Sequence, residues 1–242
     1  MWQLYKKEIN TYLNSLIAYI VIAVFLSSIG LLMWVFPETS ILQYGYADMY
    51  TLFSLTPYVF MFLIPAITMR SFAEERKAGT MELLLTQPLK DIHLVLGKFL
   101  SAWTIVFFAL LPTLIYYFSV YQLGSPVGNL DSAGIAGSYI GLILLGGVFT
   151  SIGIMASSLT ENQVVSFILA VFLCFLLFSG FTSLASLEVW ENAANWIEQL
   201  GILYHYDAMS RGLIDSRNLV YFFSVATLMI LLTQLKLGSR NW

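Results

Sequence analysis

Hydrophobic and polar residues alternate along this chain in long blocks. Six stretches, about 16–36, 52–69, 99–121, 138–159, 164–187 and 219–235, are apolar enough and long enough to cross a bilayer core of ~30 Å as helices. None of the six contains a charged residue. Ahead of the first, Trp2, Tyr5, Ile9, Tyr12, Leu13 and Leu16 recur at helical spacing, with Lys6, Lys7, Glu8, Asn10 and Asn14 on the other face. This pattern predicts a helix lying in the membrane interface. The apolar run that follows is too long for a signal peptide and is closed by no small-x-small site, so it is expected to stay as a span.

Between the spans the longest polar stretches are 70–98 and 188–218, each too short for a folded soluble domain of the usual ~50–200 residues. The expected fold class is therefore all-α: one polytopic transmembrane domain over 1–242 with six transmembrane helices. Short additional helices are expected on both sides of the membrane. Composition agrees, with 59% apolar and 10% charged residues and a mean hydropathy of +0.80.

Charge placement sets the orientation. Threading six spans alternately puts Lys6, Lys7, Arg70, Arg76, Lys77, Lys90, Lys98, Lys236 and Arg240 on one side, and Arg211 and Arg217 on the other. Nine against two predicts both termini in the cytoplasm. Nucleic acid is not an expected ligand. Cys174, the only cysteine, lies mid-span, and no His, Cys or carboxylate cluster has metal-ligand spacing. No metal and no cofactor is expected in this chain.

The loop 70–98, RSFAEERKAGTMELLLTQPLKDIHLVLGK, combines basic charge with an apolar run. Ser71 to Lys77 should continue the second span as a charged helix that ends at Ala78-Gly79. Thr80 can cap a new short helix, Met81–Gln87, with Glu82 in its first turn, and Pro88 stops it. Another helix should begin with Asp91 as its N-cap. Burying Leu83, Leu84 and Leu85 is worth roughly 5–9 kcal/mol at ~1.5–3 each. The underside of the protein's own bundle and a groove on a cytosolic partner compete for that surface.

On the outer side, Val189, Trp190, Ala193, Ile197 and Leu200 fall on one helical face, Gly201 can end that helix, and Asp207 can cap another running to Arg211-Gly212. Trp190 and Trp196 suit an interface. The segment reads either as a structural lid or as a contact surface for an extracytoplasmic protein, with Trp190, Trp196, Tyr204, His205, Asp207 and Arg211 as candidate contacts. Gly137, Gly141, Gly147 and Ser151 form a small-residue stripe suited to close helix packing. Pro57, Pro65 and Pro112 predict bends in the second and third spans.

The stretch EERKAGTMELLLTQPL, followed by VLGKFL, resembles the coupling region of ABC-2-type transporter permeases. The likeness extends to GNLDSAGIAGSYIG, SSLTENQVVSFILA and LGILYHYDAMSRGLIDSRNL, and is greatest to the gliding-motility-associated permease subunits of Bacteroidota. This resemblance implies a permease subunit of the bacterial inner membrane. Glu74, Glu75, Gly79, Thr80, Met81, Glu82, Leu83, Leu84, Leu85, Gln87 and Pro88 would then form or position a coupling helix on a cytosolic ABC ATPase subunit. It also implies a second permease subunit, identical or different, in the membrane lipid. ATP and Mg would sit on the ATPase, because this chain has no G-x-x-x-x-G-K-[ST] phosphate loop.

Other functions fit less well. An ion-driven carrier is expected to hold ionisable groups within its spans. Glu74-Glu75 superficially matches the EExxxR of membrane-embedded CAAX-type proteases, but Gly79 stands where the arginine should be, and with only His93 and His205 no Ser-His arrangement offers nucleophilic catalysis. The chain is therefore expected not to be an enzyme. A force-transmitting membrane subunit that moves no solute remains as the second functional reading.

Overall fold

A computed structural model of the chain describes residues 2–81, 90–187 and 193–239. Among these the fold is all-α, and six helical segments are long and apolar enough to cross a membrane: Leu16–Trp34, Tyr50–Lys77, Asp91–Leu123, Ser132–Leu159, Gln163–Ala185 and Ser216–Gly238. In chain order the helices are α1 Trp2–Leu13, α2 Leu16–Trp34, α3 Ile41–Tyr44, α4 Tyr50–Thr68, α5 Arg70–Lys77, α6 Asp91–Leu110 and α7 Leu114–Leu123. They continue with α8 Ser132–Leu159, α9 Gln163–Phe175, α10 Phe181–Ala185, α11 Ala194–Glu198, α12 Ile202–Ser210 and α13 Ser216–Gly238.

Short polar side chains start four of the spans. Ser15, Asp131, Asn162 and Asp215 each accept a hydrogen bond from a backbone N–H of the first turn, at Ile17, Gly134, Val164 and Arg217. Each cap satisfies a donor that has no intrahelical partner. Helix α6 differs from expectation, because Lys90 is its N-cap and Asp91 is already helical, with no side-chain cap bond. Asp91 still sits in the first turn, where a carboxylate favours the helix dipole.

Helix α8 is the centre of the bundle. Over its most apolar stretch 78% is buried, against 22% for the fifth span and 28% for the first and the sixth. Its small residues let neighbours come close: a Cβ on Gly141 would lie 2.9 Å from Met209 Cβ, and one on Gly137 2.7 Å from the Gly212 carbonyl oxygen. The stripe at Gly137 and Gly141 thus packs within the chain, against α12. Ser138 holds that contact by donating to the Ser210 carbonyl at 2.8 Å, and Tyr206 ties α12 to α4 by donating to the Phe53 carbonyl at 2.6 Å.

The expected outer helix boundaries shift accordingly. Gly201 is the N-cap of α12, and Asp207 lies within that helix, paired with Arg211 one turn on at 2.7 Å. The reason is burial: Ile202, Tyr206, Met209 and Ser210 form one helical face against α8, so the helix extends back to cover all four. Helix α11 is only Ala194–Glu198, and Val189 and Trp190 lie outside the described residues.

Proline positions only partly predict where helices are interrupted. Pro57 and Pro65 lie inside α4, while the second span breaks one turn later, at Met69, between α4 and α5. At Pro112 the third span passes through a 3-10 turn, Leu111–Thr113, into α7. The fifth span carries a π turn, Leu176–Gly180, with no proline.

Candidate functional site

The end of the bundle that carries the loop 70–98 is built from α1, α5, the head of α6 and the end of α8. Helix α1 lies across α6 where Gly97 leaves room, since a Cβ there would come within 2.7 Å of Leu4 Cδ2. Leu4 and Glu8, one helical turn apart, are the buried residues of α1. The expected apolar stripe divides: Trp2 and Leu13 are exposed, at 65% and 44%, while Tyr5, Ile9 and Tyr12 are partly buried, Tyr5 sharing a hydrogen bond with Thr104 of α6. The exposed part suits lipid contact, and the Leu4–Glu8 edge packs on the protein.

That packing places Glu8 beside Lys98. The Lys98 ammonium, its side chain 2% exposed, donates to Glu8 Oε1 at 3.2 Å and to Glu75 Oε1 at 2.8 Å. It also lies 5.2 Å from the centre of the Phe72 ring, a cation–π contact. Glu75 Oε2 is buried with no hydrogen-bond partner among the described residues. Two carboxylates and one ammonium therefore join three separate elements, α1, α5 and α6, through a single nitrogen.

Three further contacts tie α5 to the bundle. Tyr12 and Ser71 share a hydrogen bond at 3.3 Å, and burial pushes the Tyr12 phenol above its usual range, so it stays a neutral hydroxyl. The second is at the break in the second span. Ser157 Oγ of α8 accepts from the Phe72 and Ala73 N–H groups at 3.0 and 3.1 Å and donates to the Met69 carbonyl at 3.0 Å. One hydroxyl thus uses its proton and both lone pairs to satisfy backbone groups at the break. Gly153, one turn earlier, makes the approach possible: a Cβ there would sit on Thr68 Oγ1.

The third contact is Met81. It is 4% exposed and packs with Leu4, Phe72, Leu94, Val95 and Phe99, so this residue of the apolar run is buried inside its own chain. Before it, Gly79 has φ +67°, the left-handed conformation expected at the end of α5. The Thr80 hydroxyl donates back to the Glu75 carbonyl at 3.3 Å, and the helix it is expected to cap lies, after Met81, outside the described residues. Glu82, Leu83, Leu84, Leu85, Gln87 and Pro88 lie outside the described residues.

The site as predicted from sequence thus separates. Met81 is buried and Glu75 half-buried, Gly79 and Thr80 shape the turn, and Glu74 is exposed on α5. Glu8, Lys98 and Ser157 were not among the predicted residues. A lysine directly ahead of an apolar span, at Lys98-Phe99, and a glutamate one turn after Leu4 were the available signals. Among the candidate contacts of segment 188–218, Tyr204, His205, Asp207 and Arg211 do come together, lining an open pocket of about 810 Å³ with Glu198 and Arg217. His205 stacks on Tyr221 and bonds Asn218 Oδ1 at 2.8 Å and the Gln199 carbonyl at 2.9 Å. Trp196 is 75% exposed and does not line that pocket, and Trp190 lies outside the described residues.

The sequence matches the family described as ABC-2 family transporter protein over residues 2–235. The chain belongs to this family. No curated protein matches it. An ABC-2 permease is the transmembrane subunit of an ABC transporter, is not itself the ATPase, and implies a partner ABC ATPase subunit. With six candidate spans, this ABC-2 chain is a multi-pass membrane protein.

Proposed function

We propose that residues 70–98 receive the conformational stroke of the partner ATPase and pass it to the bundle through the Lys98 ion cluster and the Ser157 clasp. The observation that carries this reading is that one buried ammonium holds α1, α5 and α6 together. A displacement of the loop moves α5, and α5 cannot move without either carrying α1, α6 and α8 or breaking buried polar contacts that cost several kcal/mol to leave unpaired. On this reading Glu82, Leu83, Leu84, Leu85, Gln87 and Pro88 dock on the ATPase, while Glu74, Glu75, Gly79, Thr80 and Met81 position them. Both termini are cytoplasmic, a second permease subunit completes the membrane part, and the complex works in a bacterial inner membrane on export or on an envelope process such as gliding motility.

Two variants separate docking from transmission. Leu84→Asp should abolish co-purification of the ATPase subunit with a normally inserted permease. Lys98→Met should leave co-purification intact and remove the response of ATP turnover to the permease. Full retention of the ATPase by Leu84→Asp sinks the docking role, and normal stimulation in Lys98→Met sinks the transmission role.

A second reading, force transmission without solute movement, draws on the outer pocket. Its charged lining at Glu198, Asp207, Arg211 and Arg217 offers a polar contact for an extracytoplasmic protein. Stimulation of ATP turnover by such a protein, and by no small solute, would favour it.

A further inference from the structure

The cluster around Lys98 is unbalanced where it is most buried. One ammonium, its side chain 2% exposed, meets two carboxylates whose side chains are 10% and 16% exposed, Glu8 and Glu75. The two glutamates are not equivalent. Glu75 Oε2 is the one carboxylate oxygen among the described residues that is buried without a hydrogen-bond partner.

The other charges nearby do not remove the imbalance. A pocket of about 310 Å³ opens between α1 and α5, and its lining brings Lys7 and Tyr12 from α1, and Arg70 and Glu74 from α5, towards the cluster. Over the whole lining three cations match three carboxylates. Lys7, Arg70 and Glu74 are exposed, however, and form no ion pair among the described residues, so water screens them from the buried centre. Tyr12 is a neutral hydroxyl bonded to Ser71. Helices α4, α8 and α9, which also pack on α5, carry no charged residue. An ionised carboxylate oxygen with neither donor nor water is costly, and a second carboxylate on the same ammonium adds to the cost. A proton at Oε2 relieves both: Glu75 becomes a neutral acid whose Oε1 still accepts from Lys98, and Lys98 keeps a one-to-one ion pair with Glu8.

We propose that Glu75 is a proton-binding site, taking up one proton from bulk water through the pocket while α5 lies against α1 and α6, and giving it back when α5 moves away. The carboxylate and the proton become a carboxylic acid, and no other bond forms or breaks. The link to movement of α5 rests on the coupling role proposed above. The proton site itself needs no ATPase and is tested on the permease alone, so the two fail separately.

An ordinary ion pair and a proton site predict opposite signs. A carboxylate stabilised by its cation loses stability as pH falls. Glu75, binding its proton more tightly folded than unfolded, contributes stability that is fully present below about pH 4.3, the value of a free glutamate, and is lost as pH rises. Thermal melting of the full chain in detergent, followed by tryptophan fluorescence at about pH 8 and about pH 5.5, reads the sign. E75Q, a neutral mimic of the protonated acid, should melt a few degrees above wild type at about pH 8, and the gap should close at about pH 5.5. Infrared difference spectra between the same two pH values should show the carbonyl stretch of a protonated carboxylic acid in wild type, no such band in E75Q, and a weaker one in E8Q, where the ammonium faces a single carboxylate. The wild-type and E8Q spectra decide even where E75Q does not insert. E75Q melting below wild type at about pH 8 overturns the proposal, as does a gap independent of pH. A wild-type spectrum without the band, or a band of wild-type strength in E75Q or in E8Q, overturns it as well.

Discussion

Replacing Lys98 by methionine removes the ammonium that lies between two buried carboxylates. The oxygens of Glu8 and Glu75 are 3.2 and 2.8 Å from the same nitrogen, so they are at most about 6 Å apart. At that separation two carboxylates repel by ~3 kcal/mol for an effective dielectric of ~20. Loss of the partner also leaves both groups desolvated, and breaking buried pairs in this way typically costs ~3–5 kcal/mol. At ~2–4 °C per kcal/mol for a chain of this size, K98M should melt about 6–20 °C lower. The triple variant E8Q/E75Q/K98M, in which no charge is left in the cluster, should return to within ~1 kcal/mol of wild type, because neutral replacement of a buried ion set is close to free. Intrinsic tryptophan fluorescence of the detergent-solubilised protein during heating measures all three. If K98M and the triple variant melt alike, lost packing rather than unpaired charge governs the site, and the cluster is not an electrostatic clamp.

Ser157→Ala should destabilise by ~1–3 kcal/mol, since the Phe72 and Ala73 N–H groups and the Met69 carbonyl lose their partner at a buried break; the same melting assay decides, and an unchanged midpoint would mean that water replaces the hydroxyl. Gly153→Ala should cost ~1–3 kcal/mol by overpacking Thr68, with partial rescue in G153A/T68A, where the offending oxygen is gone. By contrast Arg211→Ala should shift stability by no more than ~0.5 kcal/mol, because its pair with Asp207 is exposed at 65% and 53%. A larger loss would show that Arg211 is held by more than that ion pair.

Much of the fold was legible because the membrane imposes one requirement on every residue of a span. Each of the six apolar stretches falls on one of the six long apolar helices, although the helices ending at Lys77 and starting at Asp91 run well beyond the stretches 52–69 and 99–121, and Gly79 was readable as a helix end because only its backbone tolerates the left-handed turn. The Lys98 cluster was not legible in the same way. Glu8 reads as one more polar residue of an interfacial helix, and Lys98 as one more positive charge at a span boundary. Their partnership spans 90 residues of sequence, and nothing local encodes it.

The sequence by itself determined an all-α membrane domain, the approximate limits of its spans and the presence of a charged, apolar-bearing loop between the second and third. Those follow from solvation of backbone and side chains, which each segment meets on its own. The tertiary structure decided which small residues admit which neighbour, where the second span breaks, and that Lys98 serves Glu8 and Glu75 together. These depend on helix crossings, and a crossing places side chains from distant segments within a few ångströms only once the bundle has formed.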